Sequence, residues 1–325
     1  MNLKPALATL TLSFGLLLTA CGNGDGSTSS PSNSNENNSS NAEQLSGTVG
    51  IDGSSTVFPI MEAVSEEYAA EEPNVKAPVG VSGTGGGFNK FIAGETDISN
   101  ASRPIKDEEA KKLKEAGIDY TEFKIAYDGL SVVVNKDNDF VDQLTVEELK
   151  KMWLESGKVK TWADVREGWP KEPISFFSPG TDSGTYDYWN EVILEDGQMR
   201  SDATLSEDDN VLVQGVMGDP GAIAFFGFAY YKENQDDLKI VPIVNSKGEA
   251  ITPDHDTIMN GDYEPLSRPL FFYVNNQSIS EKPHVHDYVK FALENAGTLA
   301  EEVGYISLQD QEYKDALAKL EEMKK

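Results

Sequence analysis

Three short stretches of this chain place glycine, serine and threonine in a turn that opens directly into a helical pattern. They are DGSSTVFPIMEAV from Asp52, SGTGGGFNKFIAGE from Ser82 and SPGTDSGTYDYWNEVIL from Ser178. The chemistry this suits is the holding of an anion. A helix start leaves backbone N–H groups unpaired and carries partial positive charge, and an anion satisfies both. Glycine allows close backbone approach, and Ser or Thr adds hydroxyl donors. One such stretch is also what an ordinary N-cap or turn looks like. Three in one chain set the expectation of an anion site built from several loops. The second stretch runs on to DISNASRPI, where Arg103 precedes a proline that favours extended backbone.

Other chemistries find less support. Ser183 in TDSGT does not satisfy G-x-S-x-G, and the three histidines, His255, His284 and His286, have no cysteine or repeated carboxylate spacing around them. No enzyme activity, cofactor or metal site is expected. His284 and His286 flank Val285 at a helix start, a pattern usual for surface residues. Tyr186, Tyr188 and Trp189 at helical spacing read as core or cleft wall, as do Trp153, Trp162 and Trp169. Asp128 in YDGL suits a turn as well as a ligand role.

The elements that must hold these loops alternate strand and helix. GTVGIDGSS reads as strand and turn, PIMEAVSEEYAAEE as helix, VKAPVGVSG as strand, and the order recurs through DISNAS, DEEAKKLKEAG and YTEFKIAYDGLSVVVN. This is the signature of an α/β sheet with crossover helices. GLSVVVNKDN and RPLFFYVNNQS are the best buried-strand candidates. They are expected to carry the chain between two lobes, outward near Asn135 and back near Phe271. The C-terminal KPHVHDYVKFALENAGTLAEEVG and DQEYKDALAKLEEMKK read as helices closing the first lobe.

The 325 residues allow one large domain or two moderate ones. Lys and Arg number 27 against 55 Asp and Glu, a formal net charge of −28, which argues against a nucleic-acid partner held by phosphate contacts. An acidic protein can still hold an anion, because local donors and helix dipoles act at short range while net charge acts through a screened field. The apolar run Ala6 to Leu18 is too short for a stable membrane span. It ends in LTAC, which resembles the bacterial lipobox, so residues 1–20 are expected to be a lipoprotein signal and Cys21, the only cysteine, the lipidated residue. Residues 21–45, rich in Ser and Asn, lack the apolar surface to fold and read as a tether.

DGSSTVFPIMEAV, GVSGTGGGFNKFIAGETDISNASRPI, AYDGLSVVVNKDN, LTVEELKKMW with TWADV, SPGTDSGTYDYW and GDPGAIAFFGFAYY together resemble, in order from about Gly47 to Val303, the PstS-type phosphate-binding proteins of bacterial ABC transporters. The resemblance implies an α/β, type II periplasmic-binding-protein fold, two α/β lobes joined by two hinge strands with the ligand cleft between them. Residues 46–134 plus 270–325 would form lobe 1 and 135–269 lobe 2. It implies phosphate binding outside the cytoplasm on a lipid anchor, delivery to a phosphate ABC transporter permease, and a monomer. The alternatives are another tetrahedral oxyanion, sulfate or molybdate, or a phosphate sensor without transport. The family's loops map onto Thr56, Val57 and Phe58, onto Thr84, onto Ser102 and Arg103, and onto Ser183, Gly184 and Thr185. Val57 stands where some members have Thr, so Ser55 or Thr56 would supply the hydroxyl. One branch has Asp at the position of Ser102 and Arg at that of Pro179. Arg103 is then expected to take the cationic role, and Asp182 or Asp128 the proton-accepting role.

Overall fold

The computed structural model describes residues 44–181 and 183–323. The expected signal segment, Cys21, nearly all of the tether and the candidate Asp182 lie outside the described residues.

The alternating pattern resolves into a nine-stranded mixed sheet. Its strands in chain order are β1 (Ile51–Gly53), β2 (Val79–Val81), β3 (Ile98–Ala101), β4 (Tyr120–Asn135), β5 (Ser175–Pro179), β6 (Thr204–Ser206), β7 (Ala222–Gly227), β8 (Leu238–Ile240) and β9 (Ser267–Asn275). Across the sheet they run β2, β1, β3, β9, β4, β7, β5, β6, with β8 also on β4. β1 is parallel to β2 and β3, and β7 is parallel to β5. The long β4 runs antiparallel to β9 over Tyr120–Gly129, and from Leu130 onward it is antiparallel to β7. The crossover helices that matter below are α1 (Phe58–Glu71), α2 (Gly83–Ile92), α3 (Asp107–Ala116), α4 (Gly184–Val192), α5 (Pro283–Glu302) and α6 (Asp310–Met323).

Two large apolar cores, flanked by two smaller apolar clusters, divide this sheet. One joins Ile51, Ile60, Ile98, Ile125, Leu270 and Phe272 to α5 and α6. The other joins Leu130, Val132, Trp153, Trp162, Trp189 and Phe225. Along β4 the change of core falls between Ala126 and Leu130, ahead of the Asn135 crossing read from the sequence. The β-branched run Val132–Val134 is wholly buried and pairs with β7 and β8; Val132 and Val134 enter the second core, while Val133, on the other face of the strand, packs with Leu212, Val216 and Phe226. Where the chain enters β9 the change falls between Leu266 and Leu270. The aromatic residues take core positions, with Trp189 stacked on Phe225 at 3.9 Å between centroids. His286 is buried within α5, so the helix-start pair is not a surface one.

Candidate functional site

β1, β2 and β3 end side by side, and each hands the chain to a loop at the same edge of the sheet. After Gly53 the first loop turns at Ser54, whose N–H donates to Asn100 O at 3.0 Å and whose carbonyl accepts from Phe58 N–H at 3.1 Å. Pro59 stands in the first turn of α1, where its missing donor costs nothing. The second loop is tied from beneath by Asp52, which accepts from Ser82 Oγ and lies 2.5 Å from Lys90 Nζ. α2 leans directly on β1, because a Cβ at Gly87 would lie 2.5 Å from Gly53 Cα. Only glycine permits that approach. The third strand delivers Ser102, whose N–H donates to Thr84 Oγ1 at 3.2 Å and whose hydroxyl is 3.1 Å from the same atom.

These loops enclose a cavity of about 250 Å³. Ser54, Ser55 and Thr56 line it from the first loop, Gly83, Thr84 and Gly85 from the start of α2, and Ser102 and Arg103 from the end of β3. The opposite wall is Asp187, Tyr188 and Glu191 on α4 together with Arg268 on β9.

The two arginines are held differently. Arg103 places both terminal nitrogens on Glu109 of α3 at 2.9 and 2.8 Å, a two-point pairing that matches guanidinium to carboxylate. Burial opposes ionisation of Glu109, yet the Arg103 contact holds it below the usual carboxylate range. Arg268 is more deeply set, with its side chain 11% exposed. Its Nη2 donates to Thr56 Oγ1 at 2.8 Å, its Nη1 to Glu191 Oε2 at 3.2 Å, and its Cζ lies 3.4 Å from the centre of the Tyr188 ring. Behind it, Asp128 Oδ2 stands 3.5 Å from Nε. Burial pushes the Asp128 carboxyl up to about 6, against the pull of Arg268.

Of the residues expected from sequence, the structure gathers Ser55, Thr56, Thr84, Ser102 and Arg103 around one cavity. The others fall elsewhere. Val57 is wholly buried, and the Phe58 N–H already donates to Ser54 O. Ser183, Gly184, Thr185 and Asp128 line an adjoining cavity of about 310 Å³, which Ser55 and Phe58 also reach. The wall between the two is the contact of Thr56 with Gly184, whose carbonyl accepts from Thr56 Oγ1 at 3.3 Å. Ser183 caps α4 by accepting from Thr185 N–H at 3.2 Å.

Arg268, Asp187 and Glu191 were not read from the sequence as site residues. A signal for Arg268 existed: Ser102-Arg103-Pro104, just past the end of β3, recurs as Ser267-Arg268-Pro269 at the start of β9. It was masked by the apolar strand that follows, which reads as core.

Residues 38–296 match the model of the PBP superfamily domain. Protein SphX of Synechococcus elongatus is 51% identical over 267 residues, covering 82% of this chain and 79% of that protein. Phosphate-binding protein PstS of Staphylococcus saprophyticus is 43% identical over 315 residues, covering 97% and 93%. Among solved structures, that of a possible phosphate binding protein from Planctomyces limnophilus superposes with a TM-score of 0.82 at 47% identity, covering 86% of this chain and all of that one. An ABC-type phosphate transport receptor from Vibrio cholerae shares the fold, with a TM-score of 0.61 at 24% identity.

Proposed function

The chain belongs to the PBP superfamily, and on that premise we propose that it is an extracytoplasmic receptor of the PstS kind, which binds inorganic phosphate and delivers it to an ABC transporter permease. The observation that carries the reading is the setting of Arg268. Its nearly buried guanidinium shares one small cavity with the start of α2 and with the hydroxyls of Thr56, Thr84 and Ser102. A tetrahedral oxyanion there meets a charge-assisted donor on one side and a helix N-terminus with hydroxyls on the other. The role is binding, with Ser55, Thr56, Thr84, Ser102, Arg103 and Arg268 as the donor set and Asp128 as the buried partner that orients Arg268. Relatives named phosphate-binding protein PstS, alike along nearly the whole chain, support phosphate as the anion.

Calorimetric titration with phosphate, arsenate, sulfate and molybdate tests this. Uptake of phosphate and arsenate with rejection of the other two is expected. A protein that takes sulfate or molybdate and not phosphate belongs to another oxyanion.

Two finer readings join the proposal. The two cores act as lobes that close on the anion, a ligand held by both favouring the closed state by its differential affinity; scattering with and without phosphate should show compaction. Cys21 anchors the protein by lipid to the outer face of the cell membrane; among the described residues no helix is long and apolar enough to cross one. Cys21→Ser should move the protein from the membrane to the soluble fraction.

A further inference from the structure

Helix α4 turns two carboxylates, one turn apart, onto the donors of the cavity. Asp187 Oδ2 accepts the Ser55 hydroxyl at 2.6 Å, and Glu191 Oε2 accepts Arg268 Nη1 at 3.2 Å. Both residues line the cavity. Arg268 therefore faces two carboxylates of unlike character. Asp128 lies behind it, 4% exposed and fixed, whereas the Glu191 side chain is 57% exposed and sits on the cavity side. Counting Glu109 on Arg103, three carboxylates contact the two guanidinium groups, and Asp187 holds a hydroxyl beside them. A donor hydrogen serves one acceptor well, so an anion that takes the Nη1 hydrogen now on Glu191 displaces that carboxylate.

We propose that Glu191 is an internal competitor for the anion, a carboxylate of the protein's own that occupies the Arg268 donor and sets how tightly the cavity binds. Asp187 plays the same part toward Ser55. The inference rests on the phosphate reading given above and deepens it. The Glu191 contact holds the Arg268 side chain extended toward the cavity, so the donor is already oriented when the ligand arrives, at a cost in affinity. Because Glu191 is long and largely solvated, its release requires little rearrangement, and the cost is that of a partly exposed ion pair. The like charge that Glu191 leaves at the rim weakens binding further, more so at low salt.

The test is titration of the full chain with phosphate and, separately, with sulfate, comparing wild type with Glu191→Gln, Glu191→Asp and Glu66→Gln. Glu191→Gln keeps the shape and removes the charge, and about a twofold to fivefold tightening is expected from the worth of such a pair. Glu191→Asp keeps the charge but withdraws the carboxylate by one methylene, so a smaller tightening is expected. Glu66 lies exposed two turns along α1, roughly 12 Å beyond the loop, and Glu66→Gln should leave the affinity unchanged. Weaker phosphate binding in Glu191→Gln would mean that Glu191 accepts a proton from the ligand, and it overturns the proposal. So does unchanged affinity, or equal tightening in Glu66→Gln. A wild-type protein that binds sulfate and no phosphate removes the functional reading alone, since the sulfate titrations still measure the competition.

Discussion

Gly184 at the start of α4 lies so close to Thr56 that a Cβ added to it would stand 2.6 Å from the Thr56 Cα and 3.0 Å from its backbone nitrogen. Backbone cannot rotate away as a side chain can. Gly184→Ala should therefore push the first loop and α4 apart without harming the helix, in which alanine is favoured. Overpacking of this kind costs about 1–3 kcal/mol, or roughly fivefold to 150-fold in affinity if all of it falls on the bound state. Calorimetry with phosphate checks it, alongside circular dichroism to show that helix content is kept.

Arg268 is predicted to be the dominant cation. Arg268→Ala should weaken phosphate binding by about 100-fold or more, and Arg268→Lys should recover only part, because the ammonium keeps charge and loses the planar set of donors. The alanine variant also leaves Asp128 buried without its partner, a loss of about 3 kcal/mol by the usual cost of an uncompensated charge. Adding Asp128→Asn to Arg268→Ala should restore much of the stability and none of the binding. Wild-type affinity in Arg268→Ala would place the anion elsewhere.

Asp128 makes stability depend on pH in a definite direction. Its folded carboxyl titrates near 6, through burial opposed by Arg268, and its unfolded value is about 3.9. Between these values the folded chain holds the proton and the unfolded chain has lost it, so stability falls as pH rises through that window. Asp209, raised to about 6 by burial and then by Asp208 and Glu207, adds to the same slope. The unfolding free energy of Asp128→Asn, compared with wild type, should therefore gain on the order of 2 kcal/mol from pH 4 to 7. A difference that stays flat with pH would show that Asp128 titrates at its ordinary value.

Asp97 behaves oppositely. Burial would raise it, but hydrogen bonds from Lys282, Ser278 and the Gly50 N–H hold its carboxyl below the usual range. Its stabilisation is present above the unfolded carboxylate value and is lost as pH falls through the lower folded one. Asp97→Asn should cost about 1–3 kcal/mol in urea unfolding at neutral pH, with a smaller penalty in acid. Asp97 joins the start of β3 to the residue before α5, away from the cavity, so phosphate affinity should not change.

The site was legible where its chemistry is local. Ser55, Thr56, Thr84 and Ser102, which line one cavity, each stand in a short polar stretch visible in the sequence, and Arg103 is marked by the proline after it. Arg268 depends on Thr56, 212 positions away, and on Tyr188 and Asp128, and no spacing rule reaches so far. The Phe58 N–H looked available because a helix start usually leaves it so, yet the Ser54 carbonyl has taken it. The separation of Ser183–Thr185 from the main cavity hangs on one contact, Thr56 with Gly184, that only the folded chain creates. The fold was legible in its alternation, while the position at which β4 changes core was not. Leu130 to Val134 is apolar but for Ser131, and such a run does not say which core each residue enters.

The two cores also differ in how the chain supplies them. The one containing Trp153 and Trp189 draws its residues from Leu130 to Leu266, with Ile306 added late, whereas the other needs Val49 to Ala126 and then Leu270 to Leu320. β9 must arrive before β3 and β4 have their shared neighbour. A polypeptide emerging amino end first therefore carries its opening segment unfinished, completes the inserted core next, and seals the outer one last. Contacts of short sequence separation form faster for the same reason. A chain interrupted after Leu266 would keep nearly all of the residues of one core, and one interrupted at Ala126 would keep neither core whole.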